Sequence, residues 1–101
     1  MQEKNETIVL QGIELIDVLK EINYILISLH KIGAYYALNL PNSYDEYAKE
    51  TTRFIDDNNI TQRLANIRSL LSDKFDNSLG DDDMDDIERS MEELEYWSPP
   101  K

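Results

Sequence analysis

The chain has 101 residues, 41% of them apolar, no cysteine and a formal net charge of −11. That length holds one hydrophobic core rather than two, and the lack of cysteine removes disulfides and thiolate metal sites. The negative charge disfavours direct binding to nucleic-acid phosphates or to anionic membranes and favours basic proteins. The expectation is one helical domain over 1–101, with short flexible ends at 1–5 and 98–101.

The charge is uneven. Residues 1–72 carry ten acids against seven bases, net −3, and residues 73–101 carry eleven acids against three bases, net −8. The opening stretch MQEKNETIV lacks the basic, apolar, small-residue layout of a signal peptide. The most apolar run, Tyr24 to Leu40, contains His30 and Lys31 and falls short of a span of about 20 residues. A cytoplasmic location is expected.

The apolar spacing is helical nearly throughout. Ile8, Gly12, Leu15, Leu19, Ile22, Leu26, Leu29 and Gly33 recur at alternating steps of four and three, and Val18, Ile25 and Ile32 add a second row. Glu14, Asp17, Glu21, Ser28 and Lys31 fall opposite. This predicts an amphipathic helix from about Thr7 to Gly33 or slightly beyond, ended at the latest by Leu40-Pro41. Its face broadens after Ile22, which implies packing on more than one side.

Ser43 and Glu46 then form a capping-box pattern. Tyr44, Tyr47, Ala48, Thr51, Phe54 and Ile55 give the second helix its inward stripe. Asn59 and Gln62 repeat the capping pattern for a third helix, with Ile60, Leu64, Ile67, Leu71 and Phe75 inward and Arg63 and Arg68 outward. Gly80 suits a left-handed C-terminal cap. A fourth helix is expected to begin after Asp82 or Asp83, where acids favour a helix start. Met84, Ile87, Met91 and Leu94 form its stripe, and Ser98-Pro99-Pro100 stops it.

Short connections favour antiparallel neighbours, so the expected fold is all-α, an up-and-down bundle of about four helices with a long first helix. That first helix is roughly 40 Å long, about twice the others. It must bend at Gly12 or Gly33, overhang, or pack against a second copy, so a homodimer through the first helix is one expectation.

Few residues could carry chemistry. Asp81, Asp83, Asp85 and Glu92 match the spacing of a calcium loop, but Asp86 stands where the sharp turn needs Gly and Glu88 where an apolar residue belongs. Glu14, Asp17 and Glu21, with Glu46 and Glu50, have the spacing of a magnesium-dependent pyrophosphohydrolase, yet lie on polar helix sides. His30 is the one histidine and reads as partly buried and hydrogen-bonded. No nucleophile–base pair and no Gly-rich phosphate loop appear. The reading is therefore not an enzyme, with no metal and no cofactor.

Binding fits better. Asp81, Asp82, Asp83, Asp85, Asp86, Glu88, Glu92, Glu93 and Glu95 crowd into fifteen residues against one Arg, and Tyr96 and Trp97 follow. Acids speed encounter with a cationic protein, and aromatics supply contact area. Tyr35 or Tyr36 would add an anchor. In each aromatic pair, one ring is expected inward and one outward. In size, charge and helix content the chain resembles bacterial immunity proteins and some phage-encoded inhibitors, with no residue motif tying it to a family. The expected function is an inhibitor or immunity protein that neutralises a basic toxin, with a nuclease the favoured class, by stoichiometric binding. The alternatives are a nucleic-acid-mimic anti-defence protein and a dimeric pyrophosphohydrolase-like protein.

Overall fold

The computed structural model describes residues 1–39 and 43–101; the expected helix stop at Leu40-Pro41 lies outside them. The regular structure there is a 3-10 turn, Glu3–Asn5, and four α-helices: α1 (Gly12–Asn39), α2 (Tyr44–Asp57), α3 (Ile60–Ser72) and α4 (Asp86–Met91). The protein is an all-α helical bundle with its longest helix first. Its chain divides into two compact units. Residues 10–70 form one, and residues 1–9 with 71–101 form the other.

In the larger unit α2 runs antiparallel to α1. Tyr36 meets Tyr47 with ring centroids 6.4 Å apart, and Tyr24 meets Phe54 at 5.8 Å. The turn after α2 is pinned to the same tyrosine, because the Tyr24 hydroxyl donates to Asn58 Oδ1 at 3.0 Å. Next, α3 takes up the N-terminal half of α1. Arg63 donates to Glu21 at 3.0 Å, and Asn66, Ile67 and Leu70 line one recess with Asp17 and Val18. The lengths explain this order. At 1.5 Å per residue α1 spans about 42 Å, and α2 plus α3 span about 40 Å. Two short helices laid in succession thus accompany the long one, which need not bend.

Asn58 and Asn59 make the joint. Asn58 donates through Nδ2 to Phe54 O at 3.0 Å, so its side chain closes the last turn of α2. Asn59 adopts φ 52, the left-handed conformation that Asn tolerates better than most residues. It is therefore not the extended cap expected for α3. Ile60 follows directly and is buried, 4% exposed. Ser43 makes no side-chain capping bond either, so neither expected capping box forms.

The packed faces differ from those expected. Among the described residues the deeply buried apolar ones are Val18, Ile25 and Ile60. Val18 and Ile25 belong to the second row of α1; the main row, Leu15 to Leu29, stays exposed. Tyr44 is 74% and Tyr47 36% exposed, so neither is core. Arg63, expected outward, is held over the Tyr24 ring, 4.6 Å from its centroid, and also donates to Asn58 O. Leu64, expected inward, is exposed. The reason is a rotation of α3: the long Arg63 stem covers apolar surface while its head reaches Glu21. His30, expected partly buried, is exposed.

In the smaller unit, residues 1–5 are not loose. Asn5 is buried, 3% exposed. Its Nδ2 donates to Asp76 O at 2.9 Å and its Oδ1 accepts from Asp76 N at 2.7 Å. These bonds hold the N-terminal segment against residues 76–86 and keep it out of α1, which begins at Gly12 rather than near Thr7. Lys4 adds a weak exposed pair with Asp76 at 3.7 Å.

With so few buried apolar residues, Ile60 carries an unusual share of the packing. Ile60→Ala should cost about 2–4 kcal/mol in urea denaturation. Leu38→Ala, at a residue 82% exposed, should change stability by less than about 0.5 kcal/mol.

Candidate partner-binding surface

The acidic segment is built around its single base. Arg89 donates through Nε and Nη2 to the two carboxylate oxygens of Asp82, at 2.6 and 2.8 Å. This is the two-pronged geometry that the planar guanidinium favours. Nη1 donates to Asp86 Oδ1 at 2.8 Å, and Nη2 also donates to Met84 O at 3.0 Å. The loop 80–84 wraps the guanidinium. Gly80 N donates to Met84 O at 2.8 Å, Asp83 N to Gly80 O at 3.1 Å, and Met84 N to Asp82 Oδ1 at 3.2 Å.

Gly80 serves close approach here, and its φ is not positive. A Cβ at this position would stand 2.7 Å from Arg89 Nη2 and 3.2 Å from Asp82 Oδ1. The expected left-handed cap is thus absent, and α3 ends earlier, at Ser72. The residue that does turn left-handed is Asp83, with φ 58.

Asp86 was expected to face a partner. It is instead buried, 3% exposed. Its Oδ2 accepts from Gln2 N at 2.8 Å and from Asn5 Nδ2 at 2.7 Å, while Oδ1 takes Arg89. A charge can be buried only with such a full set of donors. Those from Asn5 and Gln2, then Arg89, hold the Asp86 carboxyl below its usual range, against the upward push of burial. Arg89 does the same to Asp82 more strongly, and Asp82 then Asp86 keep Arg89 protonated well beyond its ordinary range. Asp76 is lowered chiefly by hydrogen bonds from Ser78.

The fourth helix is short. Asp85 is its N-cap and accepts from Glu88 N at 2.8 Å. It ends at Met91, not near Leu94, and Met91 and Leu94 are about half exposed. The missed signal is the pattern Asp85-x-x-Glu88, a capping sequence one turn later than the start expected from the Asp run.

Three of the nine acids therefore have structural posts: Asp82 and Asp86 on Arg89, and Asp85 at the helix start. Asp81, Asp83, Glu88, Glu92, Glu93 and Glu95 are exposed. Tyr96 is 73% and Trp97 83% exposed, so both rings of this pair point outward and Trp97 does not fold back. Tyr35 and Tyr36 lie in the other unit, on α1, where their rings meet edge to face at 5.0 Å; Tyr35 is the more exposed.

Protein-family models, curated proteins and solved structures give no match to this chain.

Among the described residues no group of three or more His, Asp or Glu is arranged to hold a metal ion. Of the carboxylates with pyrophosphohydrolase-like spacing, Glu21 is paired with Arg63 and Glu50 with Arg53. No described helix is long and apolar enough to cross a membrane. The acidic segment thus carries six exposed carboxylates in and after an Arg89-centred polar knot, followed in the chain by two exposed aromatic rings.

The knot makes stability acid-sensitive in a defined direction. Asp82 and Asp86 have lowered folded-state pKa values. The stability they contribute is thus complete above the unfolded carboxyl value of about 3.9, and is lost as pH falls through their folded values. Urea denaturation should show stability falling from about pH 4 downward. Arg89→Met should lower stability at neutral pH and flatten that acid slope. Parallel slopes for the two proteins would show that the knot does not govern acid unfolding.

Proposed function

We propose that the chain is a small acidic inhibitor or immunity protein acting in the cytoplasm. It binds one-to-one to a basic toxin, with a nuclease the favoured class, and its activity is binding rather than turnover. The observation that carries this reading is the division of the acids between 81 and 95. The one local base is spent on Asp82 and Asp86, so six carboxylates remain exposed beside Tyr96 and Trp97.

A nuclease must be cationic to hold its polyanionic substrate. An acidic face with aromatic anchors complements such a surface: the field raises the encounter rate and the rings slow release. A nucleic-acid mimic needs two extended rows of acids, whereas these are gathered in one segment of fifteen residues. Of the exposed acids, Asp81 and Asp83 sit on the loop folded around Arg89 and Glu88 on α4, so that part of the field is presented without ordering a disordered chain at the moment of binding.

The test begins with capture. The intact chain should retain a basic protein from cells of its source. A variant with Asp81 and Asp83 changed to Asn, and Glu88, Glu92, Glu93 and Glu95 changed to Gln, should retain much less. With the captured partner purified, this variant should associate at least about tenfold more slowly at low salt, with a weaker salt dependence. Trp97→Ala should leave association nearly unchanged and speed dissociation at least about tenfold. A partner whose activity is unaffected by an equimolar amount of the chain would sink the inhibitor reading.

A further inference from the structure

We propose that α1 pairs two copies of this chain through an antiparallel helix seam. Leu15, Leu19, Ile22, Leu26 and Leu29 recur at steps of four, three, four and three. That 3.5-residue period is the one that keeps a single row facing a partner helix. All five are between 36% and 58% exposed. They form the main apolar row of α1, and the larger unit buries only the flanking row, at Val18 and Ile25.

The seam is also uncharged. From Leu15 to Leu29 neither the row itself nor the positions flanking it hold an Asp, Glu, Lys or Arg. The charges of α1, Glu14, Asp17, Lys20, Glu21 and Lys31, all fall elsewhere on the helix. A chain of net charge −11 repels its own copies, so a strip free of charge is where close approach costs least.

The row is self-complementary in one antiparallel register. Leu19 meets Leu29 of the second copy and Ile22 meets Leu26, and the twofold axis makes each pair twice. The N-terminal half of α1 holds three carboxylates and one Lys, and the C-terminal half holds Lys31. Antiparallel pairing sets the acidic half beside the basic one and opposes the helix dipoles.

Sedimentation of the intact chain tests this. A species of twice 11.8 kDa is expected, with a Kd of about 10 μM or tighter. This affinity should rise with added salt, because screening relieves repulsion between like-charged copies. Binding of a cationic partner through the acidic segment should fall with salt, so the two readings fail independently. Leu19→Glu with Leu26→Glu, both at exposed positions, should raise Kd at least about 100-fold while the helical circular dichroism persists. The chain has no cysteine, which permits a direct register test. A mixture of Leu19→Cys and Leu29→Cys chains should cross-link on oxidation. Leu19→Cys alone should not, since its two thiols lie about 15 Å apart in this register. A monomer at about 100 μM, a dimer indifferent to the Glu substitutions, or self-cross-linking of Leu19→Cys would each overturn the proposal.

Discussion

Asp86 is a carboxylate placed where an apolar residue would ordinarily sit. The smaller unit has almost no hydrophobic interior, so this buried acid does the organising. It binds the main-chain amide of Gln2, the side chain of Asn5 and the guanidinium of Arg89. Removing Arg89 would leave this buried charge without its counter-ion, and removing Asn5 would leave it under-bonded, each more costly than never having made the bond. The N-terminal turn, the 80–84 loop and α4 are thereby tied to one another. The geometry of the acidic surface follows, because the loop that carries Asp81 and Asp83 is folded around Arg89.

A second polar clamp shapes the larger unit in the same way. Arg63 spans from α3 to α1, lying over the Tyr24 ring and reaching Glu21. Tyr24 in turn holds Asn58 at the joint between α2 and α3. These contacts select which side of α1 is covered. A purely apolar association would have used the main Leu and Ile row. Instead the covered side centres on Val18 and Ile25 with polar groups around them, and the row most suited to burial is left outside. The exposed pairing of Arg63 with Glu21 adds little by itself. Its effect comes from being joined to a ring contact and to a hydrogen bond from Arg63 Nε to the Asn58 backbone carbonyl.

The helical period was readable because it is a property of neighbours in sequence. The four helices, the length of the first and the turn at 58–59 all follow from spacing and from Asn-rich punctuation. The facing of each helix was not readable in this way. Spacing shows that α1 has two apolar rows but not which one a neighbour covers, and that choice depends on Arg63 of a different helix. The roles of Gln2 and Asn5 were hidden for the same reason: their partners lie more than 70 residues away. Asp82 and Asp86 looked like their neighbours in composition. Only their distances to Arg89, seven and three residues in the chain, hinted that two acids of the run would be neutralised internally.

Two kinds of surface emerge, and electrostatics keeps them from competing. Contacts made through the six exposed acids gain from long-range attraction and weaken as salt screens it. Contacts made through the Leu15–Leu29 row gain nothing from steering, since the row has no charge, and must overcome repulsion between like-charged chains. On the two proposals, a cationic protein would be drawn to the first surface with no field guiding it to the second, and a second copy, repelled by the first, would approach along the second. Partner choice would then be set by where charge is missing as much as by where it is concentrated, and a basic residue introduced into the α1 row would blur that separation sooner than the loss of any single acid.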